Sequence, residues 1–202
     1  MTKIILVRHG KTEWNRVERF RGRVDIPLNE TGLQQAIITG ERIKKNWNPV
    51  AIYSSPLKRA IQTAQQIAQP SRLEIKHSEG LIDINYGKWQ GLTPQEARVQ
   101  WPELVANWYD HPESVQIPDG ESLKQVRDRA MAVLMEICQF HANEQIVLVS
   151  HTVVNRLILL GVLGLGNESF WHLCQDPCAI NLIELNEKGF TLVFMNDTCH
   201  LL

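Results

Sequence analysis

The residues with the clearest chemical potential form the tripeptide Arg8-His9-Gly10, which directly follows an apolar run at residues 3–7 (KIILV). Such a run predicts a buried strand, and open α/β sheets bind ligands just outside the carboxyl ends of their strands. The guanidinium of Arg8 offers a planar fork of donors that suits phosphate oxygens. The ring of His9 can attack an electrophile or carry a proton, and Gly10 lets the backbone approach a ligand closely.

Two further junctions between a strand and a helix have a similar character. Ser150-His151-Thr152 follows the apolar residues 146–149, so that the N–H groups and positive end of a helix would lie beside His151. Arg59 lies in the first turn of a helix that follows another strand, although a single arginine there is as readily explained as a solvated charge. A basic loop at residues 19–22 (RFRG), which includes Arg21 and Gly22, follows the first strand.

An acidic residue, Asp83, completes this set, although taken alone it would be a turn or capping aspartate. Several cations, an imidazole and a carboxyl are the groups that phosphoryl transfer needs. The arginines would hold the phosphoryl oxygens and keep His9 neutral, while Asp83 would protonate the leaving alkoxide and later accept a proton from water. Because arginines supply the positive charge and no acidic cluster is suited to magnesium, we predict no cofactor.

Alternating strands and helices must position these residues. Such an alternation predicts an α/β fold, with a mostly parallel central sheet between two helical layers. One predicted helix starts at a Ser55 N-cap with Pro56 at its first position and runs to about Gln69. The other predicted helices cover 31–46, 121–141 and 152–163, and the predicted strands cover 4–7, 50–53, 73–75, 146–149, 181–185 and 191–194.

Residues 85–120 form a distinct segment within what we predict to be a single domain, residues 1–202. The segment has no convincing strand, and it is too long for an ordinary crossover. We therefore predict a helical lid over the sheet edge. Its aromatic side chains could be lid core or substrate contacts; they include Trp89, Trp101, Trp108 and Tyr109.

Composition excludes several classes of function. The chain has 202 residues and a formal net charge of −1, which gives no indication of a nucleic-acid or anionic-membrane partner. No apolar run is as long as the roughly 18 residues that a membrane span needs, and the N-terminus starts with a strand, so we expect a cytoplasmic location. The four cysteines are too few for a disulfide framework. Those near the C-terminus do not have the spacing of a known zinc site, so we predict no metal.

Taken together, the motifs resemble the histidine phosphatase superfamily of phosphoglycerate-mutase-like proteins. The resemblance covers most of the chain, through residues 6–15 (LVRHGKTEWN), 22–32 (GRVDIPLNETG), 54–64 (SSPLKRAIQTA), 81–91 and 149–156. It implies a phosphohistidine intermediate on His9. It also implies a phosphate pocket lined by Arg8, Arg59 and His151, with Asn15, Arg21 and Gly22 on the substrate side. The family's general acid is usually a glutamate, where this chain has the shorter Asp83.

The resemblance favours a phosphatase over a phosphoglycerate mutase, because mutases usually carry paired arginines in a longer lid and residues 85–119 contain only Arg98. The sequence around Thr152 and the C-terminal residues 196–201 resemble those of metal-independent phosphoserine phosphatases. This subgroup implies that Thr152, Tyr86 and His200 line the substrate side, although a histidine commonly replaces Tyr86 there and His200 could equally be a terminal residue without a role.

Three other functions remain open. They are a phosphatase for α-ribazole 5′-phosphate or with broad specificity, a phosphoglycerate-type mutase, and a non-catalytic phospho-ligand binder that the departure at Asp83 suggests. In each case the partner is a small phosphorylated metabolite. The apolar strands near residues 180–194 could in addition form an edge that pairs two copies in a homodimer, or an edge covered by a helix.

Overall fold

A computed structural model of the protein describes residues 1–15 and 19–202. Its strands are β1 (Thr2–Arg8), β2 (Ala51–Ser54), β3 (Ile75–His77), β4 (Gln145–Ser150), β5 (Ile180–Asn186) and β6 (Gly189–Asp197). Its α-helices are α1 (Glu30–Asn46), α2 (Lys58–Ala68), α3 (Pro94–Gln100), α4 (Pro102–Asp110), α5 (Leu123–Phe140) and α6 (Thr152–Leu163).

The six strands form one sheet in the order β3-β2-β4-β1-β5-β6. Strands β3, β2, β4 and β1 run parallel to one another, and β5 and β6 add an antiparallel hairpin beside β1. The fold class is therefore confirmed as α/β with a mostly parallel sheet. Strand β4, which comes late in the chain, lies between β1 and β2, so the carboxyl ends of three parallel strands meet at one point of the sheet edge.

The two faces of the sheet are covered by different helices. Alternate residues of β1 and β4 pack with α1 and α2 on one face, where Ile43 and Ala60 are buried. The other alternate residues pack with α5 and α6, where Leu134 and Leu157 are buried. After β1 the chain turns toward one face of the sheet, and after the neighbouring strand β4 it turns toward the opposite face. This divergence opens a crevice between the carboxyl ends of the two strands.

Glycines bring the turn after β1 close to α1. A Cβ atom on Gly10 would lie 2.6 Å from the carbonyl oxygen of Gly32, and a Cβ atom on Gly32 would lie 2.0 Å from that of Lys11. The backbone N–H of Gly10 also donates to the hydroxyl of Thr63 on α2 (3.1 Å). These contacts hold the backbone around His9 against two helices.

Two predicted element boundaries are wrong. Ser55 does not cap α2, because its N–H continues the sheet by donating to the Val149 carbonyl (3.0 Å), and the helix begins only at Lys58. Strand β3 begins at Ile75 rather than Leu73, because the N–H of Leu73 donates to the carbonyl at the end of α2 instead (3.3 Å). The remaining predicted strands and helices lie within a few residues of those in the structure.

The segment 85–120 contains α3 and α4, and it is built into the core. Trp89 and Trp108 are buried edge-to-face, with ring centroids 6.1 Å apart, in the same cluster as α5 and α6. The core interpretation is therefore correct for Trp89, whereas Trp108 also borders the cavity described below. That the segment forms a lid over the sheet edge stays a prediction.

None of the helices in the described ranges is both long and apolar enough to cross a lipid bilayer. Strand β6 lies at the edge of the sheet and exposes about half of Val193 and two fifths of Met195. That this edge pairs two copies of the chain stays a prediction.

Candidate active site

The register of the sheet brings the two predicted active-site histidines together. Arg8 of β1 pairs with Ser150 of β4, so His9 and His151 follow at equivalent positions. Their ring centroids are 5.1 Å apart, and both side chains are buried. His9 lines a cavity of ≈ 260 Å³, and His151 lies directly behind His9. The cavity wall also includes Arg8, Arg21, Gly22, Asp83, Tyr86, Thr152 and Arg156.

The hydrogen bond of His9 defines its tautomer. Its Nδ1 atom lies 2.7 Å from the carbonyl oxygen of Gly10, which can only accept, so Nδ1 carries the proton. Burial lowers the pKa of His9 well below its usual value, and the charges of Arg59 and Arg8 lower it further. The ring is therefore neutral at neutral pH, with the lone pair on Nε2 available for attack.

His151 is held by Ser55, whose sequence context predicts a helix cap. Its Nε2 atom lies 2.7 Å from the hydroxyl oxygen of Ser55, which accepts a bond from the N–H of Leu57 (3.4 Å) and can donate its own hydrogen to the ring. The Nδ1 atom then carries the proton and makes no hydrogen bond. Because burial and the charge of Arg59 lower the pKa of His151 well below its usual value, this ring is also a neutral donor.

Arg59 is buried, so it is not a solvated charge. Its Nη1 and Nη2 atoms donate to the carbonyls of Val24 (2.8 Å) and Gly22 (2.7 Å), and Nη2 also contacts the Asp83 carboxylate at 3.1 Å. Gly22 has a φ of +47°, and a Cβ atom there would lie 2.7 Å from the Ile84 carbonyl oxygen. Glycine is therefore required where the basic loop crosses the segment that carries Asp83.

Asp83 has the environment of an acid that can hold a proton. One carboxylate oxygen accepts from the N–H of Ile84 (3.0 Å), and the other contacts Arg59. Burial raises the pKa of Asp83 above its usual value, although Arg59 opposes that change. The carboxylate also lies 3.7 Å from Nδ1 of His151, on the same side of the cavity.

Arg129 on α5 positions the backbone around Asp83, a role that its sequence context does not predict. Its guanidinium donates to the carbonyls of Gly80 (2.9 Å), Ile82 (2.7 Å) and Asp83 (3.2 Å) and pairs with Glu121 (2.9 Å). Arg129 lies 46 residues beyond Asp83 in the sequence, and no local pattern signals the contact.

Several buried guanidinium nitrogens at the cavity or beside it lack a hydrogen-bond partner. Arg8 donates to the carbonyl of Gln175, while Nε of Arg8, Nη1 of Arg21 and Nε of Arg59 are buried without a hydrogen-bond partner. Burial and the charge of Arg21 lower the pKa of Arg8 to about 9, which still leaves it protonated at neutral pH. Since each unsatisfied buried donor costs roughly 1–3 kcal/mol, an oxyanion with several acceptor oxygens would stabilise this arrangement.

The N-terminus of α6 contributes to the same site. His151 occupies the position that precedes the helix, but no side chain caps the first turn, which begins with Thr152. Uncapped N–H groups at the start of a helix, together with its positive end, favour an anion. The arginines, the two neutral imidazoles and this helix can therefore bind a tetrahedral oxyanion beside a nucleophile and an acid.

The predicted substrate-side residues separate into three groups. Arg21, Gly22, Tyr86 and Thr152 line the cavity. Asn15 ends a short 3-10 helix after β1, and its side chain lies outside the described part of the structure. His200 does not line the cavity. The C-terminal turn packs on α1, where the Nε2 atom of His200 contacts the hydroxyl of Thr39 (3.0 Å).

Several residues that line the cavity were absent from the predicted set. Apart from Arg156, they include Gln175, Phe20, Phe170 and Trp171. Trp108 and Tyr109, for which the sequence left lid core and substrate contact open, complete an aromatic wall with these three rings. Over residues 1–15 and 19–202, no group of three or more histidine, cysteine or acidic side chains is arranged to hold a metal ion. The four cysteines form no disulfide bonds.

Comparisons with known proteins identify the family of the chain. Phosphoserine phosphatase 1 of Hydrogenobacter thermophilus is 37% identical over 201 residues, which cover 100% of this chain and 95% of that protein. The structure of YhfR from Bacillus stearothermophilus superposes with a TM-score of 0.95 at 28% identity, and covers 100% of both chains. A mutant phosphoserine phosphatase of Entamoeba histolytica, solved in complex with phosphoserine, superposes with a TM-score of 0.85 at 32% identity, again over 100% of both chains. Residues 4–198 match the family profile, and the chain belongs to the histidine phosphatase superfamily, branch 1.

Proposed function

We propose that the protein is a phosphomonoesterase that transfers the phosphoryl group of a small metabolite to His9 and then to water. The observation that carries this proposal is the neutral, oriented ring of His9 beneath unpaired guanidinium N–H groups. Its Nδ1–H is held by the Gly10 carbonyl at 2.7 Å, which leaves Nε2 as the nucleophilic atom. Arg8 lines the cavity and Arg59 contacts Asp83 of its wall, so we assign their unpaired N–H groups to the phosphoryl oxygens.

The first step breaks the ester bond. Nε2 of His9 attacks phosphorus while the phosphorus–oxygen bond to the alcohol breaks, and Asp83 gives its proton to the departing alkoxide. Arg8, Arg59 and the Nδ1–H of His151 stabilise the charge that develops on the phosphoryl oxygens. Because burial already raises the pKa of Asp83, a bound phosphate dianion would favour its protonated form further.

The second step restores the enzyme. Asp83, now ionised, takes a proton from a water molecule, and that water attacks phosphorus while the bond to His9 breaks. Inorganic phosphate leaves, His9 is again neutral, and Asp83 is again protonated. Since arginines and a helix N-terminus supply the positive charge in both steps, we expect turnover without a divalent metal ion.

We propose L-phosphoserine as the preferred substrate, since relatives that carry this activity in their names align with the whole chain at 37% and 34% identity. The aromatic wall favours a second candidate, a broad-specificity phosphatase that accepts apolar leaving groups. A mutase is less well supported, because Arg98 is exposed on α3 and does not line the cavity. Detection of isomerised product in excess of phosphate release would favour the mutase instead.

The test is release of inorganic phosphate from L-phosphoserine in the presence of EDTA, with the His9→Ala variant beside the wild-type protein. We expect EDTA-resistant release that the variant lacks. Undiminished release by His9→Ala would overturn the proposal. Absence of release from phosphoserine alongside His9-dependent release from 4-nitrophenyl phosphate would retain the phosphatase and withdraw the substrate assignment.

A further inference from the structure

Arg156 is a cation of the cavity wall that the proposed chemistry does not use. It lies on α6 four residues after Thr152, so both side chains are on the same face of the helix, about 6 Å apart along its axis. The phosphate end of the cavity is at Thr152 and the first turn. Arg156 therefore lies about one helical turn away from the phosphate, at the part of the cavity that would contain the rest of the substrate.

The guanidinium of Arg156 is held in place by aromatic rings rather than by an acid. Its Cζ atom lies 5.0 Å from the ring centroids of both Phe170 and Trp171. Trp171 is in turn held by stacking on Tyr109 (5.3 Å) and by a hydrogen bond from its Nε1–H to the Trp108 carbonyl (2.7 Å). Such a position restrains the planar group while leaving its N–H edge available to a ligand.

Among the described residues, no negative charge balances Arg156. Within residues 1–15 and 19–202, no carboxylate lies at ion-pair distance from it, and its Nε atom is buried without a hydrogen-bond partner. The acid of the cavity wall, Asp83, is already paired with Arg59, and Arg19 is paired with Glu96 at 3.4 Å. A phosphate dianion at Arg8 and Arg59 would leave Arg156 as an unmatched positive charge.

We propose that Arg156 binds a carboxylate of the substrate, so that the enzyme selects phosphomonoesters with a second anionic group near the ester. Arg156 is then a specificity-determining residue. The planar guanidinium can donate two parallel N–H bonds to a carboxylate, and the neighbouring rings of Phe170 and Trp171 limit the access of water to it. This inference rests on the proposed function, which it deepens by naming a charge that the substrate must carry.

The experiment compares two substrates that differ in the carboxylate, phosphoserine and phosphoethanolamine. We expect the wild-type protein to prefer phosphoserine, and Arg156→Met to lower the ratio of the two kcat/KM values by about 10- to 100-fold, mainly through KM for phosphoserine. Arg156→Lys should recover part of the ratio, because it restores the charge without the planar fork. Lys45→Met, which removes an exposed charge in the last turn of α1, is the matched control and should leave the ratio unchanged.

Failure of this inference can be distinguished from failure of the proposed function. Equal kcat/KM values for both substrates in the wild-type protein, or an unchanged ratio in Arg156→Met, would overturn the role of Arg156 while hydrolysis continued. If no phosphate is released at all, calorimetric titration of phosphoserine and phosphoethanolamine into His9→Ala still decides the question. Tighter binding of phosphoserine that Arg156→Met removes would support the carboxylate site, and equal binding would refute it. Circular dichroism of each variant reports whether it has folded.

Discussion

The substitution Asp83→Asn separates the role of the acid from the role of the oxyanion site. The Asp83 carboxylate accepts two hydrogen bonds on separate oxygens, from Ile84 N–H (3.0 Å) and from Arg59 (3.1 Å). An amide has one acceptor oxygen, so one of these two bonds is lost. A hydrogen bond to a charged group contributes about 1.5–3 kcal/mol, which is the destabilisation we expect in denaturant unfolding.

The catalytic effect of the same substitution should depend on the leaving group. Proton donation by a positioned acid contributes about 10²–10⁴-fold, and an alkoxide such as that of serine needs it in full. The nitrophenolate of 4-nitrophenyl phosphate is stable without a proton. We therefore expect kcat/KM for phosphoserine to fall by about 10²–10⁴-fold, and kcat/KM for the nitrophenyl ester to fall by less than about 10-fold. The comparison uses kcat/KM because kcat for both esters also includes the second step, in which Asp83 acts as the base.

The assay is steady-state phosphate release from both esters across a range of pH, with Asp119→Asn as the control. Asp119 is an exposed carboxylate that is paired with Lys88 at 3.3 Å, so the same chemical change there should alter neither rate. A further expectation is that Asp83→Asn abolishes the decline in phosphoserine turnover as pH rises. An equal loss of kcat/KM for the two esters would show that Asp83 is not the proton donor and would refute the reasoning.

Four further predictions follow from the contacts of the site. Ser55→Ala removes the hydroxyl that lies 2.7 Å from Nε2 of His151, so it should lower kcat at least about tenfold and the free energy of unfolding by about 1–3 kcal/mol. Wild-type kinetics in this variant would contradict the assigned tautomer of His151. Arg129→Met should lower both Tm and kcat, because three carbonyls around Asp83 lose their donor, and a change in Tm alone would contradict its positioning role. His9 and His151 have pKa values far below 6.5 in the folded state, so the unfolded chain binds more protons on acidification. Stability should therefore fall as pH drops below about 6.5, by up to about 1.4 kcal/mol per pH unit for each histidine, and His9→Gln should reduce the slope; equal slopes would contradict the depressed pKa. Incubation with EDTA should not change kcat, and activity that returned only on addition of a divalent metal would contradict a site built from arginines.

The sequence predicts the parts of this structure that depend on local pattern. The apolar runs before His9 and His151 indicate buried strands, and the alternation with helices indicates a mostly parallel sheet. The edge at which ligands bind follows from the same rule, since both histidines come directly after a strand. The 5.1 Å separation of their rings is a consequence of the β1–β4 register, which no local pattern specifies.

Residues whose roles depend on long-range packing were harder to predict. Serine is a common helix-capping residue, and the sequence around Ser55 resembles a helix start. Its contact with His151, which follows the distant strand β4, shows that it instead orients this ring. Arg129 and Arg156 lie on helical faces where arginine usually meets solvent, and their contacts come from distant segments. His200 follows an edge strand near the C-terminus, and its position on α1 depends on how that strand ends.

The central claim is that His9 carries the phosphoryl group during turnover. The most direct measurement is rapid quenching of the protein during turnover of radiolabelled phosphoserine, followed by peptide mapping of the labelled chain. The account predicts about one acid-labile, base-stable phosphate per chain on the peptide that contains His9, and none in His9→Ala. Turnover without label on that peptide, or phosphate release by His9→Ala at the wild-type rate, would contradict it.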